Sequence, residues 1–263
     1  MRCDLRDHIQ RQIYFRAAYE PIETYLFERL LRPGMVVVDA GANVGQYALI
    51  AAGVVGAHGE VHAFEPVPRT FRRLVAHVVQ NGMAGIVRTN MKALWHKTQA
   101  LSLHLGSEMS GNEGAYTIGT LAEAIDSVIT AGVRLEDYAT EAGLTRLDFV
   151  KMDIEGAEWF ALQGAKSVLA RWRPMMLLEI NREACRGLGY QPEQIWDLLK
   201  SCGYRMWVVG QSAGTSHNLD DLAGVDRANV IFHSGHLPDS VINGWTLKSV
   251  LRYHRRHKGT AAK

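Results

Sequence analysis

Apolar and polar residues alternate along this chain in two rhythms, and the switches between them mark its elements. Val36, Val37 and Val38 form a β-branched apolar run that suits a strand covered on both faces. Asp39 ends that strand, Gly41 and Gly45 bend the chain, and a helix opens near Asn43. Tyr47, Ala48, Ile50, Ala51 and Ala52 supply its apolar face. Glu60 to Phe64 reads as a second strand, 68–81 as a helix stopped by Asn81-Gly82, and Gly85 to Thr89 as a third strand. Leu101 to Leu105 alternates as a half-buried strand does. Leu147 to Met152 and Pro174 to Ile180 are further strands, with a helix through about Leu169 between them and another over Gln191 to Cys202. Tyr204 to Val209 and Asn229 to His233 follow without a clear intervening helix, which predicts an antiparallel hairpin at one sheet edge.

Ahead of the first strand, residues 4–31 read as two helical pieces. Asp7 caps the first, and Pro21 opens the second, with Tyr25, Leu26, Leu30 and Leu31 on one face. Tyr19-Glu20-Pro21 lies between them and either folds over a ligand or packs as a flap. Gly106 to Gly119 is rich in Gly, Ser, Asn and Glu and reads as a mobile loop, a candidate substrate lid. Residues 120–145 mix helix-like and strand-like pieces without a clear pattern. The whole predicts an α/β fold: a doubly wound, mostly parallel sheet with an antiparallel edge hairpin, preceded by N-terminal helices. The expected divisions are 1–34, 35–245 and a basic tail over 246–263, read as a solvated helix that frays.

The turn after the first strand carries the candidate chemistry. A nicotinamide fingerprint asks for G-x-G-x-x-G, but here the middle glycine is Asn43. Asp39 suits a cationic ligand, such as the amino group of a methionyl moiety, better than a pyrophosphate. That favours S-adenosylmethionine (SAM) over NAD, with a tight turn holding no ligand as the plain alternative. Glu65 ends the second strand, where a carboxylate can accept both hydroxyls of a ribose. Pro66 and Val67 then lie against the adenine, and Ala93 and Leu94 fall where a third-strand loop passes it.

Asp153, Glu155, Glu158 and Glu179 cluster at the ends of two later strands. Methyl transfer to a hydroxyl gains from a nearby general base, and Asp153 or Glu155 is the candidate. Glu158 reads as ordinary helix N-terminal charge, and Glu179 fits either role. These are hard oxygen ligands, but no His or Asn spacing makes a metal motif, so no metal is expected.

Composition narrows the classes. A length of 263 residues allows one large α/β domain or two small ones. A formal net charge of +2 is too weak to argue for nucleic acid. Cys3, Cys185 and Cys202 are far apart and make neither a disulfide framework nor a zinc motif. The charged N-terminus is no signal core, and Asp39 and Asn43 interrupt the apolar stretch over 35–57, so a cytoplasmic protein without membrane insertion is expected. A base methyltransferase would carry an Asn/Asp-Pro-Pro-aromatic run where this chain has Asp153-Ile154-Glu155-Gly156. An NAD oxidoreductase and a non-catalytic SAM-binding module remain as alternatives on fold grounds.

Three separated stretches, VVVDAGANVG, VHAFEPVPRTFRRLVAHVVQNG and LDFVKMDIEGAEWFALQGAKSVLARWRPMMLLEI, resemble the FkbM-type family of SAM-dependent methyltransferases. DLRDHIQRQIYFRAAYEP is also similar, so the resemblance spans roughly residues 4–210. It implies a Rossmann-like class I methyltransferase sheet of seven strands. The implied activity is O-methylation of a small molecule or glycan of polyketide, sugar or lipo-oligosaccharide type. It places Asp39, Gly41, Asn43 and Gly45 at the methionyl part, Glu65 at the ribose and Asp153 beside the reacting centre. The chain departs from the family pattern between about Thr117 and Val133, where extra residues precede VRLEDY.

Overall fold

Val36–Ala40 (β1) is buried along its whole length because it lies at the centre of a sheet with helices on both faces. The structure is a computed structural model that describes residues 1, 3–16, 18–106, 117–118 and 124–257. The other strands are β2 (Glu60–Phe64), β3 (Val87–Asn90), β4 (Lys92–Leu94), β5 (Gln99–Gly106), β6 (Thr117–Ile118), β7 (Ala124–Val133), β8 (Phe149–Met152), β9 (Met175–Asn181), β10 (Arg205–Val208), β11 (His217–Leu219) and β12 (Arg227–His233). The helices are α1 (His8–Arg16), α2 (Pro21–Leu30), α3 (Gln46–Val55), α4 (Pro68–Gln80), α5 (Leu135–Glu141), α6 (Glu158–Gln163), α7 (Lys166–Trp172), α8 (Arg182–Gly187), α9 (Pro192–Ser201), α10 (Asp239–Ile242) and α11 (Leu247–His257).

The main sheet runs β11-β10-β12-β9-β8-β1-β2-β3. β3, β2, β1, β8 and β9 are parallel, and β12 inserts antiparallel between β9 and β10. The sheet therefore has eight strands where seven were expected. The addition is β11, which pairs antiparallel with β10 and covers what would otherwise be an open edge. Register partners share a face, and so do residues two apart on one strand. Val37, Phe149, Leu177 and Ile231 thus share the apolar face packed by α2 and α3. Further toward the C-terminal strand ends, the same face carries Asp39, Lys151, Glu179 and Asn229. The polar row begins where the apolar core stops.

Within the stretch that carried no clear pattern, residues 124–133 form β7, which joins the expected strand β5 in a second sheet, β4-β7-β5-β6. It is tied to the main domain where Trp95, just after β4, stacks on Phe160 of α6 at 4.3 Å. Most of Gly106–Gly119, the expected lid, lies outside the described residues.

At the N-terminus, the Gln10 N–H donates to Asp7 Oδ1 at 2.8 Å, the expected cap of α1, and Pro21 occupies the first turn of α2. The expected tail is a packed helix over its described part: α11 lies on α2, with Val250 and His254 buried. Among the described residues no helix is long and apolar enough to cross a membrane.

Gly41 adopts φ +76°, and a Cβ there would sit 1.9 Å from the Asp153 carbonyl oxygen. The close approach that requires glycine is thus to the neighbouring strand's backbone. Gly82 has a similar φ of +68° but open space around it. Gly41→Ala is expected to destabilise by roughly 3 kcal/mol, combining left-handed strain with overpacking, and Gly82→Ala by about 1 kcal/mol from strain alone. Urea unfolding of the two variants measures the difference, and equal losses would remove the steric explanation.

Candidate active site

A cleft with about 1100 Å³ of empty space, open to solvent, lies at the C-terminal ends of β1, β2 and β8. Such strand ends are where ligands bind in open α/β sheets. Gly41, Asn43, Glu65, Pro66, Ala93, Asp153 and Glu155 all line it, so seven of the expected site residues meet in one place. The other two do not reach its surface. Asp39 is 0% exposed and stands behind the wall. Gly45 precedes α3 with φ 97°, and its missing side chain makes room for Leu74.

The turn and the second strand end are clasped by one carboxylate. Glu65 Oε2 accepts the Asn43 N–H at 2.9 Å, and Oε1 accepts the Val67 N–H at 2.9 Å. Asn43 takes φ 49°, a conformation that asparagine tolerates better than most residues, and this aims its N–H at Glu65. Each Glu65 oxygen keeps a further lone pair for a ligand hydroxyl. Burial pushes the Glu65 carboxyl up to about 7, against the pull of the two N–H groups.

A buried cation organises the opposite wall. Lys151 lies beside Asp39 in register, and its ammonium sits 3.4 Å from Asp153 Oδ2 and 4.8 Å from the centre of the Tyr47 ring. Burial alone would lower the Lys151 pKa, but Asp153, Asp39 and Glu20 together hold it above its ordinary value. Neither Asp39 oxygen finds a hydrogen-bond partner at normal geometry. Burial pushes this carboxyl up to about 6, while Lys151 and a looser approach from the Ala48 N–H oppose the rise.

More carboxylates surround the cleft. Glu155, half-buried with φ 55°, is pushed up to about 8 by burial and then by Asp153, Glu179 and Glu158. Glu158 is buried and accepts the Ile154 N–H at 2.9 Å, so it fixes the loop after β8 instead of facing a ligand. Glu179 pairs with Arg227 Nη2 at 2.6 Å across β9 and β12. Glu20, raised to about 7 by burial and Asp153, accepts from the Tyr47 hydroxyl at 3.0 Å.

Tyr19, from the segment read as folding over a ligand or packing as a flap, lines the cleft. Tyr47, Lys151 and Arg227, which had no ligand role in the sequence reading, line it too, and Leu103 and Ile118 of the second sheet add apolar wall. Tyr19 is held by Gln46, which accepts its N–H at 2.7 Å and donates to its carbonyl at 2.9 Å. Lys151 did carry a signal: a lysine inside an otherwise apolar strand needs a buried partner.

The donors and acceptors fit a nucleoside with a cationic side chain. Glu65 offers acceptors for a diol, Pro66 and Ala93 offer apolar contact, and the unpartnered Asp39 carboxylate adds negative potential behind the wall. Among the described residues no group of three or more His, Cys, Asp or Glu is placed to hold a metal.

The raised carboxylates set the pH response. Glu20 and Glu65 near 7, and Glu155 and Glu158 near 8, all lie above the ordinary 4.5. The folded protein therefore holds protons that the unfolded chain has released. Their stabilisation is complete below 4.5 and is lost as pH rises through 7 and 8. His62, depressed to about 4 by burial, acts in the opposite sense but at lower pH. The melting temperature of the free protein is expected to fall between about pH 7 and about pH 8.5, and less steeply in Glu158→Gln. A flat or rising calorimetric profile would contradict this.

The sequence profile of the methyltransferase FkbM domain matches residues 39–206. The 31-O-demethyl-FK506 methyltransferase FkbM of Streptomyces tacrolimicus is 30% identical over 165 residues, which are 52% of this chain and 61% of that protein. Methyltransferase 1 of Beauveria bassiana is 28% identical over 144 residues, 49% of this chain and 57% of its own. The chain thus spans about three-fifths of the length of these relatives. A crystal structure of methyltransferase FkbM from Methylobacillus flagellatus superposes with a TM-score of 0.50 at 18% identity, covering 84% of this chain and 50% of that one. The fold is that of class I methyltransferases. By its sequence profile over most of the sheet, this chain belongs to the FkbM methyltransferase family.

Proposed function

We propose that the protein is a SAM-dependent methyltransferase that O-methylates a hydroxyl of a small molecule or glycan. The observation that carries this reading is the pairing of two features in one cleft: the Glu65 clasp on one side, and Asp153 and Glu155 on the other. The Streptomyces relative is named for an O-demethyl substrate, which supports an oxygen acceptor.

In this reading the free lone pairs of Glu65 take the ribose hydroxyls, and Pro66 and Ala93 flank the base. Bound SAM supplies an electrophilic methyl group on a positively charged sulfur. The Asp153 carboxylate faces the cleft where that charge belongs, and the Asp39 carboxylate stands behind the wall. Asp153 is taken up by its ion pair with Lys151 at 3.4 Å. Glu155 is the better matched base, because its affinity for protons lies close to working pH. It accepts the proton from the acceptor's hydroxyl oxygen as that oxygen takes the methyl group. Leu103 and Ile118 give the acceptor side an apolar surface.

Glu65→Ala is expected to raise the SAM dissociation constant roughly 10- to 150-fold, the loss of about 1.5–3 kcal/mol for hydrogen bonds to a charged group. Titration calorimetry reads this directly, and unchanged affinity would remove Glu65 from the site. With an acceptor found by screening sugars and polyketide alcohols, Glu155→Gln should lower kcat by about 10²–10⁴ and leave SAM affinity nearly unchanged. In the parent protein kcat/KM should rise with pH through about 8, and Glu155→Gln should abolish that rise. If Asp153→Asn loses kcat and Glu155→Gln does not, Asp153 is the base.

A further inference from the structure

The whole chain carries 29 Lys and Arg against 27 Asp and Glu, yet these charges are not evenly spread. α1 and α11 touch each other and contain no carboxylate. Six of the cations lie on these two helices, so the rest of the protein is net acidic. On α11, Lys248, Arg252, Arg255 and Arg256 are exposed at i, i+4, i+7 and i+8, which is one helical stripe. The opposite side of α11 is fixed to the core: Val250 is buried, and His254 Nε2–H donates to the Pro21 carbonyl at 2.7 Å. On α1, Arg11 is exposed together with Tyr14, 52% exposed, and Phe15, 68% exposed. These stand at i, i+3 and i+4, again on one face. The other side of α1 buries Ile9 in the wall of the cleft.

We propose that α1 and α11 form a docking face for an anionic lipid bilayer surface. The cations match the charge of such a surface, each worth roughly a fivefold gain in partition close to it. Cations alone would accept any phosphate-rich partner. The apolar rings select the bilayer, because Tyr14 and Phe15 pack edge to face at 5.1 Å and present apolar area that the headgroup region takes out of water. Leu247, 38% exposed at the start of α11, adds to that area. Because α1 borders the cleft, docking brings the cleft beside the bilayer. This surface does not depend on the proposed methyl transfer.

The test is co-sedimentation of the full chain with phosphatidylcholine vesicles, with and without about 30% phosphatidylglycerol, at about 0.1 M and about 0.5 M NaCl. Binding is expected only to the anionic vesicles, and only at low salt. Arg252→Gln/Arg255→Gln should weaken it about 25-fold, and Phe15→Ser by about tenfold, with circular dichroism unchanged. The Arg variant removes charge and the Phe variant removes apolar area, so the two probe different parts of the face. Equal binding to both vesicle types would overturn the proposal. So would unchanged binding by both variants, or tighter binding to a random-sequence RNA at the same salt.

Discussion

The ammonium of Lys151 is the charge around which the rest of the site is arranged. A cation inside a strand flanked by apolar neighbours is costly unless it is paired. Here Asp153 and the Tyr47 ring hold it directly, with Asp39 beside it on β1. Removing any one carboxylate leaves the others repelled less, but removing the lysine leaves several buried carboxylates with no counter-charge. The polar ends of β1 and β8 therefore stand or fall together, while Glu179 on β9 has its own counter-charge in Arg227. This explains how a sheet apolar at Val37, Phe149 and Leu177 changes to charge within two residues without opening its core.

The N-terminal helices belong to this arrangement. Gln46, in the first turn of α3, holds Tyr19 by both backbone groups, and Tyr47 and Asn229 hold Glu20. Glu20 takes φ 48°, a strained conformation kept by these contacts. The link between α1 and α2 is thereby drawn to the cleft, and α11 braces α2 from outside. The segments before and after the sheet thus bear on the shape of one cleft wall.

The second sheet bears on the other wall. Its β4 strand leaves the main sheet just after β3, and Trp95 anchors it through the stack with Phe160. Gly164 has no side chain where a Cβ would meet the Trp95 carbonyl at 2.2 Å, so the joint is close. Leu103 and Ile118 reach the cleft from this sheet. Its β6 and β7 strands fall in the stretch, about Thr117 to Val133, where the chain departs from the family pattern.

By itself the sequence determined the central strands, the glycine turn, and the placing of Glu65, Asp153 and Glu155 at strand ends. Those features rest on short-range patterns: β-branched runs, a turn that tolerates positive φ at Asn43, and acidic residues directly after apolar strands. Tertiary structure alone decided the rest. Asp39 was legible as a strand-end carboxylate, but the packing of α3 over β1 hid it behind the wall. Gly41 was legible as a bend, but its neighbour is the Asp153 backbone, more than a hundred residues away. The pairing of Arg227 with Glu179 depends on β12 inserting beside β9, and the seat of Tyr19 depends on Gln46. The second sheet stayed hidden because β7 pairs with β4 and β5 far back along the chain, and neither partner lies within a local window of sequence. Register and burial bring such residues together, and both are properties of the folded sheet, not of any one stretch of chain.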